Sequence, residues 1–175
     1  MKISAKDIQE LRQATSAGVI DCKHALEEAR GDFDKAMQVL REKGKAKAAK
    51  KSSRKTGEGR VEAYVHLHNK IGVLLEVNCE SDFVSRCDEF KRLSKDLAMQ
   101  IAALSPLYIK KEDVPEDVVK ENKACLEDFY KTNCLLEQPF VKDHAKIVKD
   151  YLTEVIAKVG ENIVVRRFIR FQLGE

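Results

Sequence analysis

An acid and a large aromatic residue stand side by side at positions 82 and 83, within the stretch VNCESDFVSR that occupies residues 77–86. This stretch joins a run of alternating apolar residues to a helical pattern. Asp82 and Phe83 together offer a negative charge and a broad apolar surface, which suits contact with a partner. In the competing interpretation Phe83 is the first core residue of the helix, because it lies four residues before Cys87.

Two capping signals favour opposite interpretations of this stretch. Ser81 can cap a helix that begins at once, and a helix extended backward in this way would bury Phe83. Ser85 with Asp88 can instead form a capping box, which leaves residues 81–84 as a loop that projects the pair outward. The residues alone leave both alternatives open, and we predict that the pair is displayed.

Other patterns that could support catalysis or metal binding are incomplete. His66 and His68 would point to the same face of a strand, as zinc ligands can, but no cysteine or carboxylate spacing completes a site. No G-x-x-x-x-G-K-[ST] loop occurs, and residues 57–59 (GEG) are too short for a dinucleotide fingerprint. We therefore expect no catalytic residues, no metal site and no cofactor, and we expect that the protein is not an enzyme.

The composition is that of a globular protein, with 43% hydrophobic and 35% charged residues. No apolar run approaches the roughly 18 residues of a membrane helix, and the N-terminal sequence MKISAKDIQELRQ lacks the apolar core of a signal peptide. The five cysteines are odd in number, irregularly spaced and without a CxxC, which argues against a disulfide framework. These features predict a protein of the reducing cytoplasm with no membrane partner.

Positive charge is concentrated in residues 45–60, KAKAAKKSSRKTGEGR, which carry seven basic residues and one acid. The whole chain has 32 basic and 29 acidic residues, so the remainder has 25 and 28 and is slightly acidic. We interpret residues 45–60 as a basic linker that can continue the preceding helix for a turn or two. Phosphate contacts by this linker, and the cations and aromatics mixed in residues 166–171, would also suit RNA. We nevertheless expect no direct nucleic-acid partner.

Residues 4–44 have the pattern of three short helices in a bundle. Ser4 with Asp7 forms a capping pair for the first helix, which residues 15–18 (TSAG) break. In the second and third segments apolar residues recur at i, i+3, i+4 and i+7, as on one face of a helix. We expect Gly44 to end the third helix.

Two apolar residues at the start of the second helix have different expected environments. Val19 lies three residues before Cys22 and therefore falls on the core face. Ile20 does not, and should be largely exposed just after Gly18. An exposed branched residue at a helix start is a plausible protein contact, although single exposed apolar residues are common.

Residues 61–79 predict a β-hairpin. Apolar residues alternate with polar ones at positions 61, 63, 65 and 67 and again at 71, 73, 75, 77 and 79, so we expect these apolar residues to form one buried face. The sequence NIVVRRFIRFQL, residues 162–173, is rich in β-branched and aromatic residues. It should return as a strand beside the hairpin.

Helical apolar stripes lie between the predicted strands. One covers residues 87–104, a weaker one residues 115–129, and a strong one residues 141–159, closed by a glycine. The predicted fold class is therefore α+β: an N-terminal three-helix bundle, then a small antiparallel sheet covered by helices. We expect domains at residues 1–44 and 61–175, joined by the basic linker.

Several stretches resemble one family. VNCESDFVSR resembles V-N-C-[EQ]-T-D-F-V, the hallmark of translation elongation factor Ts. Residues 11–44 are similar to that family's N-terminal domain, whose pattern is L-R-x-x-T-G-A-G-[MLV]-[MLI]-D-C-K-x-A-L. Further matches are IGVLLEVNCESDFV, CLLEQPFVKD and GENIVVRRFIRFQLGE. The resemblance covers nearly the whole chain in order.

The departures from the family pattern are small. Ser16 replaces the usual Gly and Ser81 the usual Thr. The chain is shorter than many members between about residues 119 and 134, and it lacks the second core repeat and the coiled-coil hairpin of the longest forms. It therefore resembles the compact bacterial type. Members with one core repeat can dimerise to present two, so a homodimer is a further expectation.

The resemblance implies a guanine-nucleotide exchange factor for elongation factor Tu, with a ubiquitin-associated-like bundle that docks on the GTPase domain. It places the displayed pair near the partner's nucleotide site. The partner-binding positions that match are Arg12, Val19, Ile20, Lys23, Ser81, Asp82, Phe83 and Val84, with Lys23 the weaker. The alternative function is a ribosome- or RNA-binding module with a ubiquitin-associated-like protein-binding domain.

Overall fold

A computed structural model describes residues 3–15 and 17–175. The helices are α1 (Ala5–Thr15), α2 (Val19–Glu28), α3 (Phe33–Lys51), α4 (Asp82–Arg86), α5 (Asp88–Leu104), α6 (Glu116–Glu121), α7 (Leu126–Asn133) and α8 (Val148–Val159). The strands are β1 (Glu58–Val65), β2 (Ile71–Cys79), β3 (Pro139–Phe140), β4 (Asp143–Ile147) and β5 (Ile163–Gln172). The predicted α+β fold class is confirmed. Ser16, one of the two departures from the family pattern, lies outside the described residues.

Helices α1, α2 and α3 pack around a small apolar cluster. Its buried side chains are Leu11, Cys22, Ala25, Leu26 and Ala36. The capping pair predicted for α1 is confirmed: the Ser4 N–H donates to the Asp7 carboxylate at 2.9 Å, and the Asp7 N–H donates to the Ser4 hydroxyl at 3.2 Å. Hydrogen bonding from Ser4, first from its backbone N–H and then from its side chain, holds the pKa of the Asp7 carboxyl below its usual value.

Helix α3 does not end at Gly44, the end expected from the glycine, but continues to Lys51. This continuation agrees with the interpretation that the basic linker extends the helix for a turn or two. Gly44 faces α8, where a Cβ added to it would lie 3.6 Å from the Cβ of Ala157. The Lys45 ammonium pairs with the Asp150 carboxylate of α8 at 2.9 Å. Packing against α8 outweighs the cost of about 1 kcal/mol for glycine inside a helix. The first part of the basic linker is therefore helical.

Strands β1, β2 and β5 form an antiparallel sheet in the order β1-β2-β5. The chain end thus returns beside the hairpin, as predicted. Helices α5 and α8 supply the apolar side chains that cover the inner face of this sheet. The largest completely buried members of this core are Phe90, Leu75, Leu93, Leu97, Ile101 and Leu135.

The face predicted for β1 is wrong. Val61 and Val65 are 66% and 62% exposed, whereas Glu62 and Tyr64 turn inward. The register explains this, because Glu62 lies opposite Leu75 of β2, which is completely buried. The apolar stripe of β2 selects the inner face, and residues directly opposite each other on neighbouring strands share a face.

Two of the predicted helices are shorter than the stripes suggested. The stripe over residues 141–159 is helical only in α8; its first residues form the hairpin of β3 and β4, where the Val141 N–H donates to the Gln100 side-chain carbonyl at 2.9 Å. The stripe over residues 115–129 divides into α6, a 3₁₀ turn and the start of α7. Gly160 ends α8 as predicted, with φ 80°.

All five cysteines lie among the described residues, and each is a free thiol. Across residues 3–15 and 17–175, every helix is too short or too polar to cross a membrane.

Candidate partner-binding surfaces

Ser81 caps the short helix α4. Its backbone is extended, with φ −129° and ψ 152°, and its hydroxyl accepts a hydrogen bond from the Val84 N–H at 3.4 Å. Ser85 is used differently from the alternative capping box, since its hydroxyl donates to the Asp82 carbonyl at 2.7 Å. The helix therefore begins directly after Ser81. Of the two alternatives that the sequence left open for residues 81–84, the structure shows the capped helix and not the loop.

Phe83 is exposed even though it belongs to a helix. Helix α4 ends at Arg86, and Cys87 has an extended backbone, φ −70° and ψ 154°, as the N-cap of α5. This break separates Phe83 from the apolar stripe of α5, where Phe90 is completely buried. Phe83 is 84% exposed. The predicted display of this side chain is confirmed, for a different local reason.

Asp82 is held by a partner that sequence analysis missed. Its carboxylate accepts from Arg86 Nη2 at 2.6 Å and from Arg86 Nε at 3.0 Å, so the pair is bidentate. Both side chains are largely exposed. An exposed ion pair of this kind contributes about 0–1 kcal/mol to stability, but it orients the carboxylate. The i, i+4 spacing of an acid and an arginine is the signal that could have identified Arg86.

Two of the predicted partner-binding residues around the pair turn inward. Val84 packs into the core with 5% of its surface exposed. The hydroxyl of Ser81 donates to the carboxylate of Glu161 at 2.6 Å. These residues shape the turn, and Asp82 and Phe83 present the available surface.

The cysteine of the VNCESDF stretch is structural. Cys79 is completely buried, and its thiol donates to the Ser81 carbonyl at 3.2 Å. Burial first, and the charge of Glu161 second, raise the pKa of the Cys79 thiol to about 11. A thiol with that pKa stays protonated at neutral pH, so it is a poor nucleophile and metal ligand. Its contact with Ser81 helps to fix the chain that leads into α4.

The bundle exposes a second group of the predicted residues at the start of α2. Ile20 is 70% exposed, as predicted, and follows the extended N-cap Gly18. Val19 is 51% exposed, so its predicted place on the core face is wrong; as the first residue of α2 it lies at the edge of the bundle. Arg12 and Lys23 are exposed as well, and Lys23 makes only a 3.8 Å pair with Glu27.

The sheet has an apolar outer face, which we call the outer sheet face. Its side chains come from all strands of the sheet and are Val61, Ala63, Val65, Leu74, Ile169 and Phe171. Beside them the Arg167 guanidinium pairs with the Glu76 carboxylate at 2.7 Å and holds the pKa of Glu76 below its usual value. Sequence analysis placed half of this surface in the core because it misassigned β1.

The two histidines considered as zinc ligands do not share a strand face. His66 follows β1, and its Nδ1 lies 3.0 Å from the Tyr64 hydroxyl, whereas His68 occupies a 3₁₀ turn with φ 68°. Among residues 3–15 and 17–175, no cluster of three or more His, Cys, Asp or Glu could hold a metal ion.

The chain is similar to known proteins along its whole length. A family model described as "Elongation factor TS" matches residues 1–128 and 124–175. Elongation factor Ts of Caldanaerobacter subterraneus subsp. tengcongensis is 52% identical, with 99% of this chain and 98% of the relative covered. That of Fervidobacterium nodosum is 50% identical over 197 aligned positions, with both chains covered completely. Because this chain has only 175 residues, that relative is the longer of the two.

Proposed function

Because the chain belongs to the elongation factor Ts family of translation factors, we propose that it is a guanine-nucleotide exchange factor for elongation factor Tu. It binds the GDP complex of that GTPase in the cytoplasm and promotes GDP release. The observation that carries this proposal is the display of Phe83, 84% exposed, beside the oriented carboxylate of Asp82.

The displayed pair supports a mechanism that acts on the partner's nucleotide site. A GTPase holds GDP through the backbone amides of its phosphate loop and through magnesium. Phe83 enters the partner as an apolar wedge between helices and shifts the groups around the metal. The Asp82 carboxylate disturbs the water shell that magnesium retains in such sites. Both changes weaken the hold on GDP.

Thermodynamic linkage between nucleotide binding and factor binding explains how the factor is released from its partner. If the factor weakens GDP binding, nucleotide binding must weaken the hold on the factor by the same ratio. The factor therefore leaves when GTP binds and is not consumed. No covalent bond is made or broken, so the protein is an exchange factor and not an enzyme.

The α2 start supports a separate anchoring contact. Val19 and Ile20 are exposed apolar residues at the start of α2, and the cations Arg12 of α1 and Lys23 of α2 are exposed as well. In this proposal the bundle docks on the GTPase domain through these residues and contributes affinity. Helix α4, which carries Asp82 and Phe83, displaces the nucleotide.

The outer sheet face supports a homodimer as part of the same proposal. Exposed apolar side chains on all strands of the sheet form a contiguous patch, unlike the scattered single residues that need no explanation. Two copies that pack face to face would bury it. Leu74→Glu should then shift the protein to monomers in sedimentation equilibrium. A wild-type protein that stays monomeric at high concentration would overturn the dimer.

Release of fluorescent GDP from elongation factor Tu, with and without this protein, tests the exchange function. We expect acceleration that saturates with the concentration of the factor. Unchanged release with the wild-type protein would overturn the proposed function.

A further inference from the structure

Glu80 and Ser81, the two residues before α4, both donate hydrogen bonds to the carboxylate of Glu161, which lies far from them in the sequence. Glu161 Oε2 accepts from the Glu80 N–H at 3.1 Å and from the Ser81 N–H at 2.9 Å. Glu161 Oε1 accepts from the Ser81 hydroxyl at 2.6 Å. Glu161 follows Gly160, whose positive φ ends α8. Hydrogen bonds to an ionised acceptor are roughly twice as strong as neutral ones.

The carboxylate of Glu80 also accepts hydrogen bonds, from the segment that contains Glu161 and from Arg54. Glu80 Oε1 accepts from the Asn162 N–H at 2.6 Å, and Arg54 approaches the same carboxylate at 3.5 Å. Asn162 is buried, and its side-chain amide donates to the carbonyls of Ser52 and Arg54, at 3.3 Å and 3.0 Å. The corner between α8 and β5 is thereby joined both to the turn before α4 and to the segment that follows α3.

We infer that Glu161 is a positioning residue for the displayed pair, because its carboxylate fixes the N-cap from which Asp82 and Phe83 project. This inference rests on the proposed exchange function. Within residues 3–15 and 17–175, the hydrogen bonds that the carboxylate accepts come from Glu80 and Ser81, the two residues directly before the pair. Without the carboxylate, the amides of these residues lose their acceptor and Ser81 is free to rotate away from its capping geometry.

The hydrogen bonds of the Ser81 hydroxyl and of the Cys79 thiol support the same assignment. Ser81 uses its hydroxyl twice, as donor to Glu161 and as acceptor from the Val84 N–H. Glu161 thereby orients the hydroxyl lone pairs that cap α4. The charge of Glu161 also contributes to the raised pKa of the Cys79 thiol, which donates to the Ser81 carbonyl. The turn before the pair is therefore fixed at its amides, its hydroxyl and its carbonyl.

The test separates positioning from general stability. Stimulated GDP release is measured as a function of factor concentration for wild type, Glu161→Ala and Glu161→Gln. We expect Glu161→Ala to lower the maximal rate, by up to about a hundredfold for a displacement near 1 Å. The concentration for half-maximal rate should change little, because the contact at Ile20 is untouched. Glu161→Gln keeps the length and one acceptor oxygen and should restore part of the rate.

The double variant of Glu161→Ala and Phe83→Ala distinguishes a positioning role from a purely structural one. The quantity compared is the rate of stimulated GDP release. If Glu161 acts through the displayed pair, Glu161→Ala should slow release less in the Phe83→Ala background than in wild type, because only Asp82 is then left to misplace. A role in folding alone would instead multiply the two losses. The matched control is Glu154→Ala, which removes a carboxylate of α8 that pairs with Lys146 at 2.8 Å, and it should behave as wild type.

Two outcomes would overturn the inference. One is a wild-type maximal rate in Glu161→Ala, and the other is multiplicative loss in the double variant. A wild-type protein that fails to accelerate release would defeat the proposed function instead. Amide hydrogen exchange at Ser81 and Val84 then decides the positioning alone: it should accelerate in Glu161→Ala and Glu161→Gln but not in Glu154→Ala, and unchanged protection contradicts it.

Discussion

The three-helix bundle and the domain that contains the sheet expose their proposed contact residues by different means. Ile20 is exposed because helical periodicity turns it away from Cys22, and because its helix begins at Val19, directly after the N-cap Gly18. Phe83 is exposed because a short capped helix ends before α5 begins, and hydrogen bonds to Ser81 hold that helix in place. In the proposed function, the surface of the bundle serves docking, and α4, which is held through Ser81, serves to displace groups in the partner.

The two regions also differ in how much apolar surface supports them. Among the described residues, the buried cluster of the bundle has five members and that of the core domain nineteen. A core as small as that of the bundle rarely supplies more than about 3–5 kcal/mol. The core domain should therefore stay folded under conditions that unfold the bundle.

The largest expected effect distinguishes two phenylalanines of the core domain. Phe90→Ala should cost about 3–5 kcal/mol of unfolding free energy, because the side chain is completely buried. Phe83→Ala should cost well under 1 kcal/mol, since its side chain is exposed, while it strongly slows stimulated GDP release. Denaturant unfolding and release kinetics on both variants check this. Equal destabilisation, with normal release by folded Phe83→Ala, would place Phe83 in the core after all.

Asp82→Ala should slow release as well. Its effect should combine non-additively with that of Phe83→Ala, because neighbours that act on one site couple. A full double-mutant cycle on the release rate measures the coupling. Strict additivity would mean that the carboxylate and the ring act independently.

A cavity in the bundle should unfold that region alone. Leu11→Ala removes a completely buried side chain and should cost about 2–5 kcal/mol, which is comparable to the whole stability available to so small a core. Amide protection in α1 and α2 should collapse while that of β2 and α5 persists. Simultaneous loss of protection in both regions would show that bundle and core unfold as one unit.

A charge at the bundle surface should affect binding more than folding. Ile20→Asp places a carboxylate in the proposed contact, so partner affinity measured by calorimetry should fall, with stability changed by no more than about 0.5 kcal/mol. Gln38→Asp adds the same charge at an exposed position of α3 and is the control. Affinity equal to wild type in Ile20→Asp would remove Ile20 from the contact.

The smallest effect is expected in the basic linker. Lys47 pairs with Asp21 at 2.9 Å, and Lys51 donates to the Gly160 carbonyl, so these cations are engaged within the chain. Replacement of Lys47, Lys50 and Lys51 by Gln should leave exchange nearly unchanged, because exposed ion pairs contribute little. An RNA affinity that these changes abolish, with a salt slope about one unit flatter per lost phosphate contact, would favour the alternative function.

Sequence periodicity was sufficient to predict those elements whose own apolar residues select the buried face. The stripes of α2 and α5 and the alternating apolar residues of β2 each carry enough apolar surface to select a buried face without help. The capping pair of Ser4 and Asp7 and the glycine that ends α8 were also predictable, because each depends on residues that are close in sequence. The exposure of Ile20 followed from the same argument.

The tertiary structure decided the features that depend on a neighbour. The face of β1 is set by its register against β2, which turns Val61 outward, and the continuation of α3 past Gly44 is set by packing on α8. The break at Cys87 and the carboxylate of Glu161 likewise join residues far apart in sequence. Local period and composition are properties of a segment, so residues 77–86 alone were enough to place Asp82 and Phe83 at a junction between two elements. Their direction required the fold, because a side chain is exposed or buried only with respect to what packs against it.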